Sequence, residues 1–340
     1  MHLKLHEFDL PLRHVFRISR EAIAVQKTLI VELEEDGFTG YGEATTNDYY
    51  GFTYASMAEA LERVRDPLQA LSCDDPAALW DALDADLGRN PFAQCALDQA
   101  AHDLWGKKRG KRVFELWGLN TEHLPVTNYT IGIDEIEVMV AKMQEFPGWP
   151  VYKIKLGTTH DLDIVRQLRR HTDAIFRVDA NCGWNAAETI RNSHALRPLG
   201  VEFIEQPLPA DRWEDMRRVH AESALPIIAD ESCIHPSDVD RCQDHFHGIN
   251  IKLVKCGGLT PARRMIQRAR QLGLQVMVGC MTESTVGISA IAQLLPLLDY
   301  VDMDGALLLA RDVATGVTIE KGHCRYPDVP GCGVTLLPPE

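Results

Sequence analysis

Between residues 153 and 304 a charged side chain stands at the end of one short apolar run after another. Lys153-Ile154-Lys155 is followed by Asp179, Glu205, Asp230, Lys252 and the pair Asp302 and Asp304, and from Lys155 to Lys252 the steps are 24, 26, 25 and 22 residues. Such an interval suits one strand, one helix and two loops, the unit that parallel strands require because no tight turn can join them. Eight runs read this way: Val126 to Ile131, Val151 to Leu156, Ile175 to Asp179, Phe203 to Glu205, Ile227 to Ala229, Gly248 to Lys252, Gln275 to Val278 and Tyr300 to Met303. Eight parallel strands with helical crossovers suit a closed barrel, which leaves no bare edge. The expected fold class is therefore α/β, a (β/α)7β TIM-like barrel. Its polar residues fall where the strands end, the face on which barrel enzymes carry their chemistry.

The first 120 residues follow a different pattern. Leu3 to Leu10, Lys27 to Glu34 and Thr39 to Ala44 read as strands, the last two turned at Glu35-Asp36-Gly37. Ala55 to Leu71, Pro76 to Leu87 and Pro91 to Lys108 carry helical spacing. An N-terminal α+β capping domain is thus expected over residues 1–120, completed by about 315–340, where Gly331-Cys332-Gly333-Val334 returns to it. The barrel occupies 121–314, and with no long Gly/Ser linker between them the two units should pack tightly.

Composition narrows the partners. The formal net charge of −14, with no basic run, argues against nucleic acid and anionic membranes and for a small-molecule substrate. Nine cysteines without a C-x-x-C pair suit reduced thiols and a cytoplasmic location, and no stretch of about 18 apolar residues offers a membrane span.

Asp179, Glu205 and Asp230 end three consecutive strands. A hard divalent cation such as Mg²⁺ takes oxygen ligands, and three carboxylates leave positions for substrate oxygens. Any one of them alone reads equally well as a cap for the following helix; three in register favour the cation. Lys153 and Lys155, two apart on a strand, share a face. A free lysine is a poor base near neutrality, but a cationic neighbour and a metal ion both lower its pKa. Lys252, on the sixth strand, lies about half-way round the barrel from the second. Two bases on opposite sides of one carbon can take a proton from one face and return it to the other, which is racemisation or epimerisation.

Lys-x-Lys, Asp179-Ala180-Asn181, Glu205-Gln206-Pro207, Asp230-Glu231-Ser232 and Asn250-Ile251-Lys252, in that order, resemble the enolase superfamily, muconate-lactonizing-enzyme subgroup. The resemblance spans the barrel, and the N-terminal unit is similar to the family's capping domain. It implies one Mg²⁺ per subunit held by Asp179, Glu205 and Asp230, with Asn181 and Glu231 supporting those ligands. It also implies an enediolate formed by lysine bases, Lys155 and Lys252 as the acid/base pair, Lys153 touching the substrate carboxylate, and a homo-oligomer.

Asp302-Met303-Asp304 is similar to the Asp-x-Asp of dipeptide epimerases, where two acids hold the substrate's α-ammonium. The resemblance further implies contacts from Cys280 and Thr282 in the segment Gly279 to Ser284. It implies a closing loop over Arg13 to Arg20 in which Arg17, or failing that Arg20, pairs with a glutamate side chain. Thr130 would help seat the same group, and Asn47 to Tyr54 would form a second closing loop. The seventh strand carries no histidine, which disfavours acid-sugar dehydration. The expected function is epimerisation of L-Ala-D/L-Glu or a related dipeptide, by 1,1-proton transfer at the α-carbon of the C-terminal residue. N-succinylamino-acid racemisation, o-succinylbenzoate synthesis and muconate cycloisomerisation on the same scaffold stay open, as does a non-catalytic ligand-binding barrel.

Overall fold

A computed structural model describes residues 1–18 and 22–338. Three antiparallel strands open the chain, β1 (His2–Arg17), β2 (Ala22–Glu35) and β3 (Phe38–Thr45), in the order β1-β2-β3. β1 runs farther than its sequence suggests. The segment expected as a loop from Arg13 is strand as far as Arg17, with Phe16 opposite Ile23 and Arg17 opposite Ala22 after a register shift that begins at Pro11. Proline cannot donate to a ladder, so a bulge beside it is the low-cost place to change register.

Helices Tyr54–Arg63, Arg65–Gln69, Pro76–Leu87 and Pro91–Arg109 follow. The last begins with Asn90 accepting from the Ala93 N–H and Pro91 at its first turn, and it ends at Gly110 in the left-handed region. It lies directly on β3. A Cβ at Gly42 would meet Ala96 O at 2.1 Å, and one at Gly40 would meet Ala100 O at 2.3 Å. Those two glycines are what let helix backbone and strand backbone touch.

Buried polar side chains of this helix then tie the molecule together. Gln99 accepts from the Glu43 N–H, Asp98 from Thr260 N and Oγ1, and Asp103 from Tyr41 N and from Cys332 N in the returning tail. Each satisfies a backbone group that the packing would otherwise strand.

Eight parallel strands form the second sheet: β4 (Tyr129–Ile131), β5 (Val151–Lys155), β6 (Ile175–Asp179), β7 (Val201–Glu205), β8 (Ile227–Ala229), β9 (Gly248–Ile251), β10 (Gln275–Gly279) and β11 (Tyr300–Asp302), in sequential order. A parallel bridge between Thr127 and Val301 joins its two edges. Register decides what points inward. Lys153 lies opposite Arg177, Lys155 opposite Asp179, and Asp179 opposite Glu205, while Gly279 lies opposite Asp302. Because side chains alternate, the interior stacks in layers. Phe203, Ile228 and Met277 pack together with Tyr300 against them, and Arg177 stacks on Phe203 and Tyr300. Two residues further along those strands come Asp179, Glu205, Asp230 and Asp302. Among the described residues no helix is long and apolar enough to cross a membrane.

Candidate active site

The charged layer is buried and mutually paired. Lys153 Nζ lies 2.8 Å from Asp302 Oδ2, 2.7 Å from Glu205 Oε2 and 3.3 Å from Asp179 Oδ2. Lys155 Nζ lies 2.7 Å from the same Asp179 oxygen, and Lys252 Nζ lies 3.1 Å from Asp230 Oδ2. Burial opposes the charge of Lys153, but Asp302, Glu205 and Asp179 outweigh it and hold the ammonium well above its ordinary pKa. Lys252 is likewise raised, burial being outweighed by Asp230. Among the carboxyls, burial is overcome at Asp179 by Lys155 and Lys153, and at Asp230 by Lys252 and Lys255, so both fall below the usual range. Glu205 goes the other way, pushed up to about 7 by burial and by the negative charge of Asp179.

Each ligand candidate is oriented by a neighbour. Asn250 Nδ2 donates to Glu205 Oε1 at 2.8 Å, and the Asn181 N–H donates to Asp179 Oδ1 at 2.9 Å from a backbone with φ of +44°. Gln206 Oε1 accepts the N–H groups of Asp230 and Ser232. Glu231 is buried next to Asp230. The sequence reading missed Lys255, a fully buried lysine whose Nζ donates to Asp230 Oδ1 at 2.5 Å and to Asp230 O at 2.6 Å. Its signal was present: Lys255 stands three residues after Lys252 in a short helix, Leu253–Cys256, a spacing that places both on one face.

The second acid pair lies at the barrel's last strand. Asp302 accepts from Asn128 Nδ2 at 2.7 Å as well as from Lys153, and Asp304 Oδ2 accepts the Thr130 N–H at 2.5 Å. Asp304 is pushed up to about 8 by burial and by Asp302. Asp302, Asp304 and Cys280 offer ligand atoms that all lie within 4.8 Å of one another. Both carboxylates are already braced by protein donors and the third group is a soft thiol, so this cluster suits a cationic hydrogen-bond donor better than a hard metal ion.

One cavity gathers Lys155, Lys252, Asn181, Thr130, Cys280, Thr282, Asp302 and Asp304, with Met281 and Leu308 beside them. Lys155 and Lys252 come from β5 and the end of β9, four strands apart in a ring of eight, and so reach the cavity from opposite sides. The capping sheet closes it with Phe16, Ile18, Ile23, Gln26 and Thr45, and the following loop adds Asn47 and Tyr50. Tyr50, whose hydroxyl is pushed up to about 12 by burial, therefore belongs to the wall, while Phe52 stacks on Phe92 at 4.5 Å.

Arg17 does not join this group. It is exposed, and the neighbours on either side of it, Phe16 and Ile18, line the cavity instead. Strand alternation makes the reason simple: with Phe16 facing in, Arg17 must face out. The alternative, Arg20, lies outside the described residues.

Two family models match the chain. The mandelate racemase / muconate lactonizing enzyme N-terminal domain covers residues 3–118, and the enolase C-terminal domain-like model covers 135–340. The chain belongs to the enolase superfamily. Among its relatives, the L-Ala-D/L-amino acid epimerase of Flavobacterium johnsoniae is 58% identical over 337 residues, covering 99% of this chain and 100% of that protein. The L-Ala-D/L-Glu epimerase of Bacteroides thetaiotaomicron is 40% identical, covering 99% of this chain and 88% of that one. A dipeptide epimerase from Methylococcus capsulatus, solved with Mg and the dipeptide L-Arg-D-Lys, superposes with a TM-score of 0.88 at 35% identity, covering 98% of each chain. An enolase-superfamily barrel with its capping sheet thus encloses the paired acids and lysines.

Proposed function

We propose that the protein is a Mg²⁺-dependent dipeptide epimerase that inverts the α-carbon of the C-terminal residue of L-Ala-containing dipeptides. The observation that carries this reading is that Lys155 and Lys252 reach one cavity from opposite sides, with the buried Asp302 and Asp304 also lining it. An aqueous binder needs no such opposed amines. Asp179, Glu205 and Asp230 fit a divalent cation: they are buried carboxylates at the ends of neighbouring strands, and Glu205 Oε2 has the Lys153 ion pair but no hydrogen-bond donor among the described residues. When bound, Mg²⁺ supplies Lewis acidity toward the substrate carboxylate, drawing off the charge left when the α-proton departs.

The chain's own residues do the rest. Lys153, fixed as a cation by three carboxylates, sits where a substrate carboxylate needs a positive partner. Lys155 takes the α-proton on one face and Lys252 returns one on the other; with the stereochemistry reversed, they exchange roles. Both amines are now tied to Asp179 and Asp230. Asp302 and Asp304 hold the α-ammonium of the first residue, so that a substrate lacking it loses its anchor.

The capping wall favours a neutral side chain on the residue that is inverted, because Phe16, Ile18 and Ile23 are apolar and Gln26, Thr45 and Asn47 are uncharged, and Leu308 from the barrel side is apolar too. The chemistry is tested by incubating L-Ala-X dipeptides and N-acylated amino acids with the enzyme and Mg²⁺ in D₂O and reading α-deuteration by mass spectrometry. Deuterium is expected in the dipeptides and little in the N-acyl compounds. Asp302→Asn should raise KM for dipeptides by about tenfold, the worth of one charge-assisted hydrogen bond. Preferential turnover of N-acylated substrates would refute the assignment.

A further inference from the structure

Glu43 lies outside the chemistry described above, yet it bridges the two units. It sits on β3 of the capping sheet, fully buried. Its Oε2 accepts Ser284 Oγ at 2.5 Å and the Gly287 N–H at 3.0 Å; its Oε1 accepts Thr28 Oγ1 at 2.8 Å; the Ser284 N–H lies 3.0 and 3.1 Å from the two oxygens. Ser284 is the N-cap of the helix Thr285–Ala292 that follows β10. A carboxylate of the capping sheet therefore takes the otherwise orphaned donors at the start of a barrel helix.

What lies on either side of this contact gives it meaning. The residues just before Ser284, namely Cys280, Met281 and Thr282, wall the cavity, and Thr45, two residues beyond Glu43 and so on the same face of β3, walls it from the cap. Thr45 Oγ1 is buried without a hydrogen-bond partner among the described residues. Glu283 is buried nearby and accepts the Met281 N–H at 2.9 Å. Burial and the charge of Glu43 push the Glu283 carboxyl up to about 8, and burial raises Glu43 as well, against the donors that converge on it from Ser284, Gly287 and Thr28.

We propose that Glu43 is a positioning residue for the reaction: it sets the spacing between the capping-sheet wall and the Cys280–Thr282 wall, and thereby governs how tightly a dipeptide is held. Glu43 itself touches no reacting atom. The inference rests on the epimerase reading, since it takes the cavity to be the dipeptide site. Loosening the clamp makes the substrate order the two walls on binding, a cost that appears in KM. Lys155 and Lys252 stand on other strands and keep their geometry, so kcat is preserved.

The test is Glu43→Gln, which keeps volume but removes the charge and turns an amide NH₂ toward the Ser284 and Gly287 donors. Asp312→Asn serves as comparator. Asp312 holds the same helix start, accepting Thr285 N at 3.1 Å and Thr285 Oγ1 at 2.7 Å, but from the segment after the last barrel strand. Both variants should lower the melting temperature. Only Glu43→Gln should raise KM, by about tenfold for both epimers, with kcat within about twofold of wild type.

Equal KM values for Glu43→Gln and wild type would overturn the proposal. So would an equal rise in Asp312→Asn, which would reduce Glu43 to a helix cap. If Glu43→Gln fails to fold, Ser284→Ala removes the hydroxyl arm of the clamp together with the cap that Ser284 Oγ gives the Val286 N–H, and should raise KM about threefold; an unchanged KM there overturns the proposal equally. A wild-type enzyme silent on every dipeptide would sink the epimerase reading itself, and this inference with it, before any variant is made.

Discussion

Replacing Lys155 or Lys252 by alanine separates the chemistry of this site from its stability, because each lysine has an understudy. Without Lys252, Asp230 still has Lys255 Nζ at 2.5 Å; without Lys155, Asp179 still has Lys153 Nζ at 3.3 Å and the Asn181 N–H at 2.9 Å. Neither variant strands a buried carboxylate, so neither should incur the roughly 3–5 kcal/mol that breaking a buried ion pair costs. Circular dichroism and urea unfolding should show folded proteins within about 2 kcal/mol of wild type.

Catalysis should respond very differently. Epimerisation needs a proton removed on one face and delivered on the other, and the strand order places the two amines four positions apart in a ring of eight. Each variant should therefore lose interconversion in both directions by at least about 10²–10⁴-fold, the worth of one positioned acid or base. The surviving lysine can still exchange the proton on its own face. In D₂O, followed by proton NMR, each variant should then deuterate one configuration of the dipeptide without inverting it, and the two variants should choose opposite configurations. A folded alanine variant that epimerises within tenfold of wild type would refute the two-base reasoning, as would two variants that deuterate the same configuration.

Other expectations follow from single contacts. Lys255→Met leaves Asp230 paired with Lys252 at 3.1 Å but strips two hydrogen bonds, one to its side chain and one to its carbonyl, and should destabilise the fold by about 1–3 kcal/mol in urea unfolding; an unchanged stability would contradict this. Gly42→Ala would drive a Cβ to 2.1 Å from Ala96 O and 2.5 Å from Ala100 N, both backbone, so the helix must move off the sheet. Calorimetry should register a loss of about 1–3 kcal/mol or more.

pH dependence of stability is expected at His247, whose imidazole is pushed down to about 4 by burial and then by neighbouring His220, and whose Nδ1 accepts the Ile227 N–H. Between its ordinary value of 6.5 and about 4 the unfolded chain binds a proton that the folded one does not, so stability falls as pH drops through that window. After discounting for its partial exposure the loss should be about 1–2 kcal/mol. It should shrink in His247→Asn when unfolding is compared at pH 7 and pH 5; an undiminished loss would place its source elsewhere.

The chain alone was enough to recognise the eightfold βα rhythm, the three acids and two lysine positions at strand ends, and the superfamily. These are local signals: a strand is a short apolar run, its last residue is read directly, and alternation tells which neighbours share its face. The same logic anticipated the helix Pro91–Arg109 to within a residue and the strand Ile175–Asp179 completely.

Tertiary structure decided whatever depends on register or on contacts between distant segments. Whether Arg17 or Phe16 faces the cavity turns on a bulge in β1, and a shift of one residue exchanges every inward side chain for its neighbour. Lys255 gained its meaning only from Asp230, 25 residues away, and Glu43 only from Ser284, 241 residues away. No window along the chain contains both ends of such a contact. The barrel supplies its chemistry strand by strand, whereas the shape of the cavity is settled where the capping sheet meets it, because packing two separately folded surfaces is a property of the whole molecule.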